Sequence, residues 1–213
     1  MIDTKKLFGK IFLWLFVGLI ITFGIGYFVQ SNENMMYNIF SGGNYIIIWI
    51  VEIVLGIVLS LAINKIPAPV AAALYLLYAG LTGLTFGTIF IAYNLESIIW
   101  VFGVTSVSML VLGIFGYTTS LDLTKFGSIL FMGLIGLIQL SIVSLFVPGI
   151  NMFLTILSLV IFLGYVAYDI HVIKNQMYSI DNPENYAIFG AFQLYLDFIN
   201  LFIDLLRLFG RDD

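Results

Sequence analysis

Apolar residues run along this chain in long blocks parted by short polar breaks. Seven such blocks lie at about 7–29, 44–64, 70–92, 97–117, 126–147, 150–172 and 187–209. Each is close to or above the roughly 20 residues a helix needs to cross a bilayer. The breaks carry turn chemistry: Ser31-Asn32-Glu33-Asn34 through Ser41-Gly42-Gly43, Pro67-Ala68-Pro69, Asn94 to Ser97, Thr118 to Lys125, Pro148-Gly149, and Asn175 to Asn185. Alternation with period two, the mark of a membrane barrel, is missing, and no internal repeat is visible beyond the recurrence of helices. The pattern predicts an all-α integral membrane protein: one polytopic domain over 1–213, with seven transmembrane helices.

Composition narrows the chemistry. Of 213 residues, 62% are hydrophobic and 9% charged, about a third of the charge of a soluble domain. There is no cysteine and one histidine, His171, which excludes disulfides, thiolate catalysis and multi-histidine zinc sites. The eight Lys and Arg residues form no basic patch, so nucleic acid is not an expected partner. The expected partners are the lipid bilayer and small ions. Neither enzymatic activity nor a resident cofactor is expected, and protein partners are not specified.

Charge placement sets the orientation. Lys5 and Lys6 precede the first block and Lys10 lies in its first turn, while Lys65, Lys125 and Lys174 lie in the second, fourth and sixth connections. This positive-inside pattern predicts a cytoplasmic N-terminus. The first block continues for about 19 uncharged residues with no A-x-A site, so it reads as a retained helix, not a signal peptide. A seventh full span puts the C-terminus outside, where Arg207 and Arg211 fit less well; a re-entrant last helix is the alternative. Six lysines against two arginines, with abundant Ile and Asn, point to a bacterial plasma membrane.

Beyond Lys10 at the start of the first block, five charges fall inside the blocks: Glu52, Asp169, Asp197, Asp204 and Arg207. An acid at bilayer depth costs about 2.5–3.5 kcal/mol on insertion scales and is a functional candidate by default. In the last block the apolar gain and the charge cost nearly cancel, so this helix is predicted to be enclosed by the other six. At 100° per residue, Asp197, Asn200, Asp204 and Arg207 share an arc of about 80°. Asp204 and Arg207, at i,i+3, are spaced to pair. Asp197 has only Asn200 close by on its own helix and needs help from another, for which Asp169 is the candidate. Counted from the block ends, the two aspartates differ in depth by roughly 10 Å, so tilt or a kink has to close the gap. Carboxyls that meet share a proton. The alternative is structural: such acids also bond to Ser, Asn or Tyr on neighbouring helices and hold a bundle together. His171 reads as interfacial, Gly83-x-x-x-Gly87 as a close helix contact, and Trp14, Trp49 and Trp100 as interface anchors.

The run Leu194-Tyr195-Leu196-Asp197-Phe198-Ile199-Asn200-Leu201-Phe202-Ile203-Asp204-Leu205-Leu206-Arg207 resembles the C-terminal signature of the Bax inhibitor-1 family, the transmembrane Bax inhibitor motif proteins. Gly164-Tyr165-Val166-Ala167-Tyr168-Asp169 resembles that family's sixth-helix motif. The resemblance covers the whole chain and implies a pH-sensitive calcium leak, with calcium as the permeant ion. In the family, an aspartate pair on helices six and seven senses protons and biases a closed–open equilibrium. Carried over, that pair is Asp169 and Asp197, which are also the implied weak Ca²⁺ ligands; the helix-two glutamate is Glu52 and the helix-seven arginine is Arg207. Bacterial-type members latch the sixth-helix aspartate with an arginine at the end of helix two. Here that stretch reads Ala62-Ile63-Asn64-Lys65, and Lys65 is the only substitute, a point charge without the guanidinium fork. Asp204 stands where the family pattern has an apolar or amide residue.

Two further readings compete. An intramembrane aspartyl protease fits Tyr168-Asp169 but needs Gly-x-Gly-Asp where this chain has Tyr195-Leu196-Asp197; a retinal pump needs a helix-seven lysine that is missing here. The stronger rival is a non-conducting membrane scaffold that modulates cell survival or the stress response through partners.

Overall fold

The computed structural model describes residues 4–63, 65–147, 149–176 and 182–211. Asn64 of the latch stretch, Pro148, residues 177–181 and the C-terminal Asp212 lie outside the described residues. The described chain is helical: α1 (Thr4–Gln30), α2 (Glu33–Phe40), α3 (Asn44–Ala62), α4 (Ala68–Ala92), α5 (Leu95–Thr118), a 3-10 turn at Leu123–Phe126, α6 (Gly127–Ser144), α7 (Asn151–Gln176) and α8 (Pro183–Phe209). Seven of these segments are long and apolar enough to cross a membrane. The polar breaks end them as expected. Gly43 and Gly149 adopt positive φ (84° and 91°) ahead of α3 and α7, a conformation that costs glycine little. Pro67 caps α4, and Pro183 opens α8 at the position where a missing N–H is harmless.

Three features escape the apolar pattern. The first connection is not all loop, because Asn32 accepts a hydrogen bond from the Met35 amide (3.1 Å) and starts the short α2, none of whose residues is fully buried. Asp122 caps the 3-10 turn; the Thr124 hydroxyl, and then its amide, hold this exposed carboxyl below the usual carboxylate range. Finally, α7 runs to Gln176 and α8 begins at Pro183, each about a turn beyond its apolar run, because polar residues continue a helix as readily as they leave it.

The chain forms two compact units. The first holds α1–α4 and α8 through Tyr195, the second α5–α7 and α8 from Leu196. In the first unit, α1 packs along α4 at small residues: a Cβ on Gly83 would stand 2.8 Å from Ile25 Cβ, and one on Gly87 would stand 2.6 Å from Val29 Cγ1. The Gly83-x-x-x-Gly87 pair is therefore a close-approach surface. In the second unit, α5 meets α7 at Gly116, where a Cβ would lie 3.0 Å from the Ala167 Cα, against backbone that cannot step aside. A core of Leu137, Leu154, Phe162, Val166 and Leu201 joins α6, α7 and α8. Burial is uneven: 72% of the α8 span is buried, against 6% of the α6 span. Trp49 and Trp100 are exposed, and Trp14 stands edge-on to Tyr75.

Candidate functional site

The second unit brings together the two aspartates that the sequence singles out. Asp169 of α7 and Asp197 of α8 are 6% and 3% exposed, and their carboxyls are hydrogen-bonded to each other. Two carboxyl oxygens can hydrogen-bond only with a hydrogen between them, so a contact of this kind requires one of the pair to be protonated. The depth gap inferred from the block ends is overridden, since that count took the two ends as level. Tyr165 lies one turn before Asp169 on α7. Oδ2 of Asp197 is buried and receives no hydrogen bond from an N–H or O–H donor among the described residues.

The remaining charges of α8 are arranged differently from the expectation. Asn200 does not serve Asp197; its amide donates to the Leu196 carbonyl one turn back (2.7 Å). Asp204 is buried, at 3%, while Arg207 is exposed. Among the described residues the two make no salt bridge: Asp204 is hydrogen-bonded to Ser158 of α7 and only feels the arginine's charge. An exposed guanidinium keeps its hydration, and pairing would strip it for little gain. Asp204 also has one buried oxygen, Oδ2, without a partner among the described residues.

Glu52 belongs to the first unit. Its carboxylate accepts a 2.6 Å hydrogen bond from the Thr82 hydroxyl of α4. Thr82 is in turn within hydrogen-bond reach of the Tyr78 and Tyr195 hydroxyls. Tyr195 is fully buried and 2.6 Å from the Thr22 hydroxyl, which donates to the Ala79 carbonyl. The only Thr22 proton goes to that carbonyl, so Tyr195 is the donor to Thr22. Lys65 is exposed in the α3–α4 connection. The flanking carbonyls of Ile63 and Ile66 are held instead by the buried Asn185 amide (2.7 and 2.6 Å).

Other residues of these sites were not singled out from the sequence. Ser158, Thr82, Thr22 and Asn185 are small polar groups inside or beside apolar runs, with no spacing signal to mark them. His171 is buried at 6%, and its Nδ1 lies 3.2 Å from the Gly116 carbonyl, to which it donates. Lys174, one turn on, donates to the Tyr117 carbonyl (2.6 Å) and stands over that ring. The two side chains thus satisfy carbonyls at the end of α5. Among the described residues, no group of three or more His, Asp or Glu side chains is placed to hold a metal ion.

The chain matches the family model described as "Inhibitor of apoptosis-promoting Bax1" over residues 4–213. It is 39% identical to a protein of Borreliella burgdorferi, covering 97% of this chain and 92% of that one. It is 38% identical to the inner membrane protein YbhL of Escherichia coli K12, over 95% and 90% of the two chains. A membrane protein of Streptococcus pyogenes serotype M3 is 35% identical over 77% and 73%. With seven apolar helices and a family match over nearly its whole length, this multi-pass membrane protein belongs to the Bax inhibitor-1 family.

Proposed function

We propose that this protein is a pH-sensitive calcium leak channel of a bacterial plasma membrane, its N-terminus cytoplasmic, gated by protonation of Asp169 and Asp197. The observation that carries the reading is the hydrogen bond between these two buried carboxyls. Gain or loss of a proton there changes the local charge and the α7–α8 contact together, which is how a local switch biases a two-state element. Ca²⁺ takes six to eight oxygen ligands when tightly held. Two carboxyls with few other donors suit a weak site that an ion can leave, as conduction requires. Glu52 belongs to the first unit and takes no part in this proton switch, while Arg207 and Asp204 supply further charge on α8.

The test is calcium flux through the purified full chain in liposomes across the acid-to-alkaline range. Wild type is expected to pass Ca²⁺ down its gradient with a pH dependence that Asp169→Asn and Asp197→Asn shift or flatten. Rates equal to those of empty liposomes at every pH would end the channel reading. That result would promote the second one, a non-conducting scaffold acting on survival or stress partners, which the family's description as an inhibitor of Bax1 favours.

A further inference from the structure

Asp204 is unexplained by the aspartate pair. It lies two helical turns beyond Asp197 on α8, about 10 Å along the axis, and it is 3% exposed. Ser158 of α7 bonds one part of its carboxyl, while Oδ2 is buried with no partner among the described residues. Neither protonation state satisfies that oxygen from within the protein. An ionised carboxylate needs a cation or a donor there, and a protonated one needs an acceptor. Arg207, one turn further on, is exposed and attracts the carboxylate without bonding to it.

Between the two acids lies an apolar layer. Leu201 is four residues from Asp197 and three from Asp204, is fully buried, and packs with Phe162 and Val166 of α7. The α7–α8 seam therefore reads, in order, as a carboxyl pair, an apolar layer and a second carboxyl with a free oxygen. Dry layers between polar stations are how pores are closed without a plug.

We propose that Asp204 and Ser158 form a cation-binding station on the α7–α8 seam, separated from the Asp169–Asp197 pair by the Leu201–Phe162–Val166 layer. The ligand is a hard cation, for which a carboxylate and a hydroxyl supply the first oxygens and water the rest. The station deepens the calcium-leak reading and takes Ca²⁺ as its probe from it.

The test is equilibrium binding of radioactive calcium to the purified full chain in an Asp169→Asn/Asp197→Asn background, so that the pair contributes no charge. Binding persists in that background. Adding Asp204→Asn raises the half-saturating concentration roughly tenfold, because ligand charge sets calcium affinity, and Ser158→Ala raises it about threefold on the same ground. An unchanged affinity with Asp204→Asn, or no binding in the background protein, overturns the station. Should Asp204→Asn fail to fold, an unchanged affinity with Ser158→Ala overturns it equally. Liposome flux separates this proposal from the channel reading: Asp204-dependent binding without flux keeps the station and removes the channel. Flux with Asp204-independent binding does the reverse.

Discussion

The two units each bury acidic chemistry, and they treat it in opposite ways. In the first, Glu52 meets Thr82, Thr82 reaches Tyr78 and Tyr195, and Tyr195 donates to Thr22, which ends on a backbone carbonyl. Each hydroxyl in that chain has somewhere to send its proton. In the second, Asp169 and Asp197 have chiefly each other, and among the described residues one buried oxygen of Asp197 and one of Asp204 receive no N–H or O–H donor. Buried polar groups are nearly always satisfied, so an orphaned carboxylate oxygen calls for an explanation that a satisfied one does not. The first arrangement suits structural adhesion between helices. The second suits a site whose occupants, protons or cations, come and go.

The sharpest way to break this contrast is at the α5–α7 contact that positions Asp169. Gly116→Val drives a side chain into the Ala167 backbone, and overpacking of this kind costs about 1–3 kcal/mol or more. The expected result is a large drop in thermal stability in detergent together with loss of the pH response in liposomes; a stable variant with wild-type flux would detach the pair from this contact. Asn185→Ala is next. It frees the Ile63 and Ile66 carbonyls at about 1–3 kcal/mol, read as a lower midpoint in thermal unfolding with the pH profile of flux retained.

Smaller effects belong to the hydroxyl chain. Tyr195→Phe removes the donor to Thr22, and intramembrane hydrogen bonds of this type are worth about 0.6 kcal/mol. If the chain is adhesive, Tyr195→Phe and Glu52→Gln lower stability slightly and leave the pH dependence of flux in place. A pH profile that moved as far as with Asp197→Asn would erase the distinction between the units.

The smallest effect is at the surface. The Asp122 carboxyl is held below its ordinary range by Thr124, so it contributes stability above the unfolded carboxylate range, and that contribution is lost as pH falls through its folded value. Hydrogen exchange of the Thr124 amide is expected to speed up on acidification in wild type. In Asp122→Ala it should be fast at any pH, after allowance for intrinsic rates.

The helices were legible from apolar run length alone, because a bilayer demands long runs and a 213-residue chain leaves little else. Asp169 and Asp197 were legible as well, since charge is rare inside such runs and each charge therefore carries information. Helix ends were less so: Asn182, Glu184 and Asn185 look like loop in an apolar-run reading, yet Asn182 accepts from the Glu184 and Asn185 amides and sets up the first turn of α8. Serines and threonines were not legible as site residues, for they carry no charge and cost little in a helix wherever they stand. The i,i+3 spacing of Asp204 and Arg207 misled, because spacing says nothing about which of two residues faces water.

The shared proton itself offers the most direct measurement. Infrared difference spectra of the full chain in lipid, recorded through a pH titration, report protonated carboxyl groups by their C=O stretch. A proton shared by the pair gives a titrating carboxyl band that Asp197→Asn or Asp169→Asn each removes and that Glu52→Gln leaves unchanged. A wild-type band that survives both aspartate substitutions, or one that vanishes only with Glu52→Gln, would contradict it.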